Sequence, residues 1–403
     1  MRRSGGELML GGMLSANHLT AMEDLPHVVA GHAALAGFSE TAIYVTDLQQ
    51  QELIPISEQR DPSGEPLAVL RIDGTLAGIA FRNAEVVHVP AGPDGTARRL
   101  WLPLLDGTER VGVLGVTVPL DDEVAEWRAQ QLASLVALLV ISKRPHSDSY
   151  SRLIRARPMT LSAEVLVPLL PPGTFANDEV VVSAVLEPAY EVGGDAFDYA
   201  VDGEALHVSI FDSMGHDTSA GLTATIAVGA SRNNRRQGAD LVNTGQAIDA
   251  AIAEQFTGRF ATGILACLDL RTGWLTWVNR GHHPPLMIRE GQQVATLTGE
   301  PDPPMGFLLR PYTGELRYQL QPGDRLLFYT DGIIEAQSPD GELFGLERFI
   351  DFILRQEADG LSAPETLRRL VQAILEHQHG RLQDDATVLM VEWGSSRQQR
   401  LVM

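Results

Sequence analysis

The stretch HVSIFDSMGHDTSAG, residues 207–221, decides how the second half of this chain is read. His207 to Phe211 form a short apolar run that reads as a strand. Asp212 closes that run, and Gly215 follows three residues later. A small-residue helix pattern starts near Thr218, with Asp217 placed to cap it. A carboxylate at the end of a buried strand is costly unless it meets a cation.

The same arrangement recurs. Asp195 follows Gly193 and Gly194 in EVGGDAFDY, Asp331 ends RLLFYT and precedes Gly332, and Asp384 and Asp385 precede ATVLMVEW. No matching set of Lys or Arg flanks these acids. Carboxylates without basic partners are hard oxygen ligands of the kind Mg²⁺ and Mn²⁺ take, and the Ser213 carbonyl would suit the same ion. Taken singly, each aspartate reads as a turn or cap residue. Taken together, they put a divalent-metal site on an equal footing. Gly193, Gly194, Gly215 and Gly332 allow sharp turns or close approach beside the acids. His216 reads as a surface or capping residue outside the metal shell, and His282 and His283, before Pro284 and Pro285, as part of a rigid hairpin turn. There is no glycine-rich phosphate loop with a lysine, no Cys/His metal spacing, and no convincing partner set for a serine nucleophile.

The chain has 403 residues, enough for two or more domains. Its 52 acidic against 31 basic residues give a net charge of −21, which argues against nucleic acid or an anionic membrane surface as partner. The balance suits solubility or cation binding. One cysteine, Cys267, leaves no disulfide framework within the chain, which implies a reducing, cytoplasmic compartment. The N-terminus lacks a continuous hydrophobic signal region, and no apolar run reaches membrane-spanning length.

The expected organisation is a loosely ordered leader over 1–22, a mixed domain over 23–143, a connector over 144–172, a strand-rich domain over 173–395, and a tail over 396–403. In the first domain, RLWLPLL and RVGVLGVTV flank Asp-Gly, a hairpin signal. A long closing helix follows, with Asp121 and Asp122 at its start and Lys143 and Arg144 at its end. The connector is broken by Pro145, Pro158, Pro168, Pro171 and Pro172, and reads equally as a flexible spacer or a signal-bearing helical link. In the last domain, strands come in runs and helices in blocks, over 218–255 and 346–378, which argues α+β.

From about residue 160 to 395 the sequence resembles the SpoIIE-like branch of the PPM-type metal-dependent serine/threonine phosphatases. The matching pieces, in order, are AEVLVPLLPP, EVGGDAFDY, FDSMGHDTSAGLTAT, FATGILACLDLRTGWLTWVNRGHHPPLMI, PMGF, LLFYTDGIIEA, FGLERF and LQDDATVLMVEW. The resemblance implies an antiparallel β-sandwich flanked by helices, and two Mn²⁺ or Mg²⁺ ions. It places Asp195 in the metal site and Asp212 as the bridging acid, with the Ser213 carbonyl beside it. Asp331 and Asp384 complete the second site, and Asp385 is either a ligand or an outer-shell residue. Asp212 and Asp331 would act in catalysis through a metal-bound water. Two departures, Asp217 where glycine is frequent and Arg280 where alanine is frequent, bear on substrate docking and leave the ligands intact.

The N-terminal domain resembles a GAF sensor domain, with room for a small ligand or a homodimer. The implied function is a bacterial signalling phosphatase acting on phosphoserine or phosphothreonine, its implied substrate a phosphorylated anti-sigma-factor antagonist. The alternative is an inactive adaptor that binds a regulatory protein.

Overall fold

The computed structural model describes residues 4–89, 97–120, 122–187, 190, 191, 193–309, 314–380, 382, 384–395 and 401. Asp121, expected at a helix start, and the tail 396–403 apart from Leu401 lie outside the described residues. The chain divides into two compact units, with the boundary between Arg157 and Pro158.

The N-terminal unit is built from helices α1 (Gly5–Ala16) and α2 (Leu25–Ala33), strands β1 (Ser39–Thr46), β2 (Glu52–Pro55) and β3 (Leu70–Arg71), helix α3 (Leu76–Asn83), strands β4 (Val87–His88), β5 (Ala97–Asp106) and β6 (Glu109–Pro119), and helices α4 (Ala125–Lys143) and α5 (Asp148–Leu153). The strands form one antiparallel sheet in the order β3-β2-β1-β6-β5-β4. Side chains alternate across it, as a period of two requires. Ile43, Val45, Leu114 and Val116 share a core with Met13, Val29, Leu132 and Val136 from α1, α2 and α4. Ala42, Tyr44 and Val113 face the other way and pack with Ala77 and Phe81 of α3. Asp106 pairs with Glu109 across the expected hairpin.

The leader is a correction. Residues 5–16 are helical, with Ser4 and Glu7 forming a reciprocal capping box. Met9 and Met13, one turn apart, are fully buried in the core. Gly5, Gly6, Gly11 and Gly12 lower the helix propensity of this stretch, and tertiary burial of the two methionines overrides it. Where a connector over 144–172 is expected, Tyr150 belongs to the core of the first unit, and Ala163 and Leu166 to that of the second.

The C-terminal unit follows the order α6 (Leu161–Leu166), β7 (Thr174–Ala176), β8 (Val180–Glu187), β9 (Asp195–Asp202), β10 (Ala205–Ser213), α7 (Thr218–Arg236), α8 (Leu241–Gln255), β11 (Ala261–Asp269), β12 (Trp274–Arg280), β13 (Leu286–Arg289), β14 (Gln292–Thr296), β15 (Leu316–Gln319), β16 (Arg325–Tyr329), α9 (Asp331–Ile334), α10 (Leu346–Ala358), α11 (Ala363–His377) and β17 (Ala386–Trp393). The helical block 218–255 is two helices, broken where Gly238 takes a positive φ of 75°.

Two antiparallel sheets, β15-β12-β11-β10-β9 and β14-β13-β16-β17-β8-β7, share a core. Leu389 and Val391 of β17 and Phe328 of β16 meet Phe197, Ile210 and Ile264 of the first sheet there. Their neighbours Val388, Met390 and Leu327 point outward, against Phe349, Ile353, Leu367 and Ile374 of α10 and α11. Ala224, Val228, Ile248 and Ile252 of α7 and α8 join the core from the first sheet's side. Central strands are therefore apolar on both faces, which explains their unbroken hydrophobic runs.

Met13→Ala should lower the stability of the N-terminal unit by about 2–4 kcal/mol. Urea unfolding followed by tryptophan fluorescence would show this, whereas an unpacked leader would leave the midpoint unchanged.

Candidate metal centre

The acidic strand ends meet at one edge of the sandwich because of strand register. Asp195 begins β9 directly opposite Asp212 near the end of β10, and the Ser213 N–H donates to the Gly194 carbonyl at 3.1 Å. In the second sheet Tyr329 pairs with Val388, so Asp331 after β16 and Asp384 and Asp385 before β17 share one end. Two threonines join the sheets: Thr330 and Thr387 each donate a hydroxyl hydrogen bond to Asp195 Oδ2, at 2.6 and 2.7 Å.

Asp385 faces the Gly193–Asp195 turn. Its Oδ2 accepts the N–H groups of Gly193, Gly194 and Asp195 at 2.7, 2.7 and 3.0 Å. The turn tolerates no side chain at Gly194, where a Cβ would lie 2.4 Å from the Ser213 carbonyl oxygen. At Gly332 a Cβ would lie 1.9 Å from the Asp385 carbonyl oxygen. Both glycines are there so that the backbones can approach. Ser213 is buried at 2 % exposure, with its hydroxyl unbonded.

Burial is the first cause of an unusual electrostatic state. It raises the Asp195 carboxyl well above its ordinary range, and the charges of Asp212 and Asp385 add to the rise. Burial, then Asp331, Asp384 and Asp385, push Asp212 up to about 7. Burial also raises Asp384, and it raises Asp385 against the opposing backbone hydrogen bonds. The acids act mainly on one another, with His216 beside Asp384 as a weak opposing influence. Mutually repelling, desolvated carboxylates near a backbone carbonyl make an oxygen-only donor set, which fits a hard divalent cation. As the side chains stand, no group of three or more His, Cys, Asp or Glu among the described residues converges on one ligation point. The hydrogen bonds of Asp195 and Asp385 explain this: their oxygens turn toward hydroxyls and backbone N–H groups.

The other residues that the sequence singles out fall around this centre. Asp217 caps α7, accepting the Ala220 N–H at 2.9 Å, and also binds Arg259 at 2.5 Å. His216 is exposed. His282 is more than a turn residue. It is buried, and burial first, then His283, lowers its imidazole to about 3, so the ring is neutral. Its Nε2 lies 3.1 Å from the Tyr329 carbonyl oxygen and its Nδ1 2.9 Å from the Thr262 hydroxyl. With Nε2 protonated, both contacts are hydrogen bonds, and they hold the strand end just before Asp331. Arg280, a suspected docking residue, is 2 % exposed and inside the fold. Sequence reading missed Thr330 and Thr387. Thr330 precedes Asp331 and Thr387 is two residues after Asp385, but a threonine in or beside a strand is ordinary, and only the pairing of β16 with β17 aims both hydroxyls at Asp195.

Comparison with known proteins gives a family match over part of the chain. Residues 202–394 match the family model described as Stage II sporulation protein E (SpoIIE). Phosphoserine phosphatase RsbP of Bacillus subtilis (strain 168) is 24 % identical over 227 residues, covering 54 % of this chain and 53 % of that protein. Protein IcfG of Synechocystis sp. (strain ATCC 27184 / PCC 6803 / Kazusa) is 29 % identical over 133 residues, covering 33 % of this chain and 20 % of the relative. The chain thus spans about half or less of the length of these relatives. The crystal structure of the RsbU and RsbW domains of a Mycobacterium tuberculosis protein aligns with a TM-score of 0.46 at 24 % identity, covering 56 % of this chain and 61 % of that one. The C-terminal unit is thus similar to the SpoIIE family over residues 202–394.

The raised carboxyls have a consequence without any cation. Asp212 ionises near 7 in the folded state and near 3.8 when unfolded. Between those values the folded state holds more protons, so stability falls as pH rises from about 4 to about 7. In chelator, Asp212→Asn should therefore raise the melting temperature at pH 8 by at least about 2 °C and change it little at pH 4. Equal shifts at both pH values would contradict this.

Proposed function

We propose that the C-terminal unit hydrolyses phosphoserine or phosphothreonine in a protein partner, using two Mn²⁺ or Mg²⁺ ions. The observation that carries this reading is the set of desolvated carboxylates that, among the described residues, have no basic partner at the strand ends of a domain similar to the SpoIIE family. Asp195, Asp212, Asp331, Asp384 and the Ser213 carbonyl would hold the ions. When bound, such ions supply Lewis acidity to an attacking water and to the phosphoryl oxygens.

The chain's own residues do the positioning. Asp212, opposite Asp195, is the acid placed between the two sheets' contributions. Thr330 and Thr387 orient Asp195 by bonding one of its oxygens, which leaves the other for a ligand. His282 fixes the Tyr329 carbonyl and so the approach of Asp331. Asp385 spends its carboxylate on the Gly193–Asp195 turn and is the positioning member of the Asp384–Asp385 pair, while the exposed Asp384 is the ligand.

The proposed substrate is a phosphorylated anti-sigma-factor antagonist. Support comes from the family and from the relative RsbP, named a phosphoserine phosphatase. The N-terminal unit is proposed as a GAF-like regulatory domain, its six-stranded sheet carrying helices on both faces. The second reading, an adaptor without catalysis, is favoured only by the engagement of Asp195 and Asp385 oxygens with hydroxyls and backbone N–H groups, and calorimetric titration separates the two. Binding of Mn²⁺ below millimolar levels supports the phosphatase, and its absence the adaptor.

Asp212→Ala and Asp331→Ala should each reduce Mn²⁺-dependent phosphate release from p-nitrophenyl phosphate to background. Wild-type rates in either would refute the site. Asp384→Asn should weaken Mn²⁺ binding at least about tenfold with the apo melting temperature nearly unchanged. Asp385→Asn should instead lower the apo melting temperature, since three buried N–H groups lose a charged acceptor. The reverse pattern would exchange their roles.

A further inference from the structure

A turn beside the acidic centre is held in a conformation that exposes large apolar side chains. Met305 and Ala261 exchange two backbone hydrogen bonds of 2.8 Å, and Ala261 is the register partner of Ser213. Met214, the next residue, donates its N–H to the Phe260 carbonyl at 3.0 Å. Phe260 in turn stacks on Phe307, with ring centroids 5.1 Å apart. The turn that begins at Met305 is thus tied, through the 260–261 segment, to the residues that end β10 at the centre.

On this turn Phe307, Leu308 and Leu309 are 45 %, 65 % and 53 % exposed, and Met214 beside the centre is 39 % exposed. Leu308 has a φ of +56°, a left-handed conformation that crowds the leucine Cβ against its own backbone. A buried ion pair holds it there. Asp249 of α8, 4 % exposed, accepts the N–H groups of Gly306 and Leu308 with one oxygen, at 2.5 and 3.0 Å. Its other oxygen lies 3.9 Å from Arg280 Nη2, and Arg280 Nε donates to the Pro303 carbonyl at 2.8 Å. Two charged side chains are withdrawn from water to fasten Pro303, Gly306 and Leu308 of a turn that presents three apolar residues to solvent. Strain and buried charge of this kind persist where a site requires the conformation. Arg259 on the same rim is bonded to Asp217 and to the Met214 carbonyl. Among the described residues of this turn, what faces solvent is apolar area.

We propose that Phe307 and Leu308 are specificity-determining residues of the phosphatase site. They form an apolar ledge that favours substrates with large apolar side chains next to the phosphorylated serine, and Asp249 and Arg280 are its positioning residues. This rests on the phosphatase reading above. The ledge gives the buried Arg280 a role at the substrate rim without itself touching substrate.

The test uses the full chain with Mn²⁺, p-nitrophenyl phosphate as a small ester, and two synthetic phosphoserine peptides differing only in leucine or serine at the flanking positions. Wild type should favour the leucine-flanked peptide in kcat/KM by about tenfold or more. Leu308→Gly, which removes the side chain and relieves the left-handed strain, should bring that ratio near one, and Phe307→Ser should lower it, with thermal melting confirming that each variant is folded. Equal wild-type rates on both peptides alongside turnover of p-nitrophenyl phosphate would overturn the ledge alone. So would variants that slow both peptides by the same factor, the mark of a merely structural turn. No wild-type turnover of any of the three would overturn the phosphatase reading and the ledge with it.

Discussion

The C-terminal unit is organised around mutual repulsion. Asp195, Asp212, Asp331, Asp384 and Asp385 reach one edge of a sandwich from two sheets, and burial of Asp195, Asp212 and Asp385 keeps water from screening their charges. No single strand creates this. It depends on Asp195 standing opposite Asp212 in one sheet and on β16 pairing with β17 in the other. A slip of one residue in either register would turn its acids to the opposite face. Everything nearby serves that register: Asp385 locks the glycine turn before β9, the two threonines join the sheets through Asp195, and His282 anchors the end of β16.

An arrangement so unfavourable by itself needs a strongly stabilised scaffold, and the sandwich supplies one. Strands such as β17 are buried along their whole length, feeding alternate side chains to the inter-sheet core and to the α10–α11 layer. The charged residues inside are paired. Asp198 of β9 receives Arg232 and Arg235 of α7, and Asp324 receives Arg289 in a two-bonded fork. Among the described residues, the candidate metal-site acids have no such basic partner, so their crowding differs from this fold's general use of charge.

Much of this was legible in the chain itself. Apolar runs bounded by aspartate marked β10, β16 and β17, Asp-Gly marked the β5–β6 hairpin, and Asp217 marked the start of α7. Local chemistry controls each of these features, through turn geometry, capping or side-chain period. The helix over 5–16 was not legible, because its glycines argue against helix while the burial of Met9 and Met13 depends on residues far along the chain. The burial of Arg280 was not legible for the same reason: nothing near it in sequence shows that Asp249 is brought beside it.

The sequence by itself determined the α+β class, the strand-end position of every candidate metal ligand and the absence of basic residues beside them, because composition and short-range periodicity carry that information. Only the tertiary structure decided which of Asp384 and Asp385 turns inward, which threonines orient Asp195, and that Leu308 stands out from a strained turn. Those outcomes depend on hydrogen bonds between residues up to 192 positions apart, such as Gly193 to Asp385, and no local pattern encodes which groups such folding brings together.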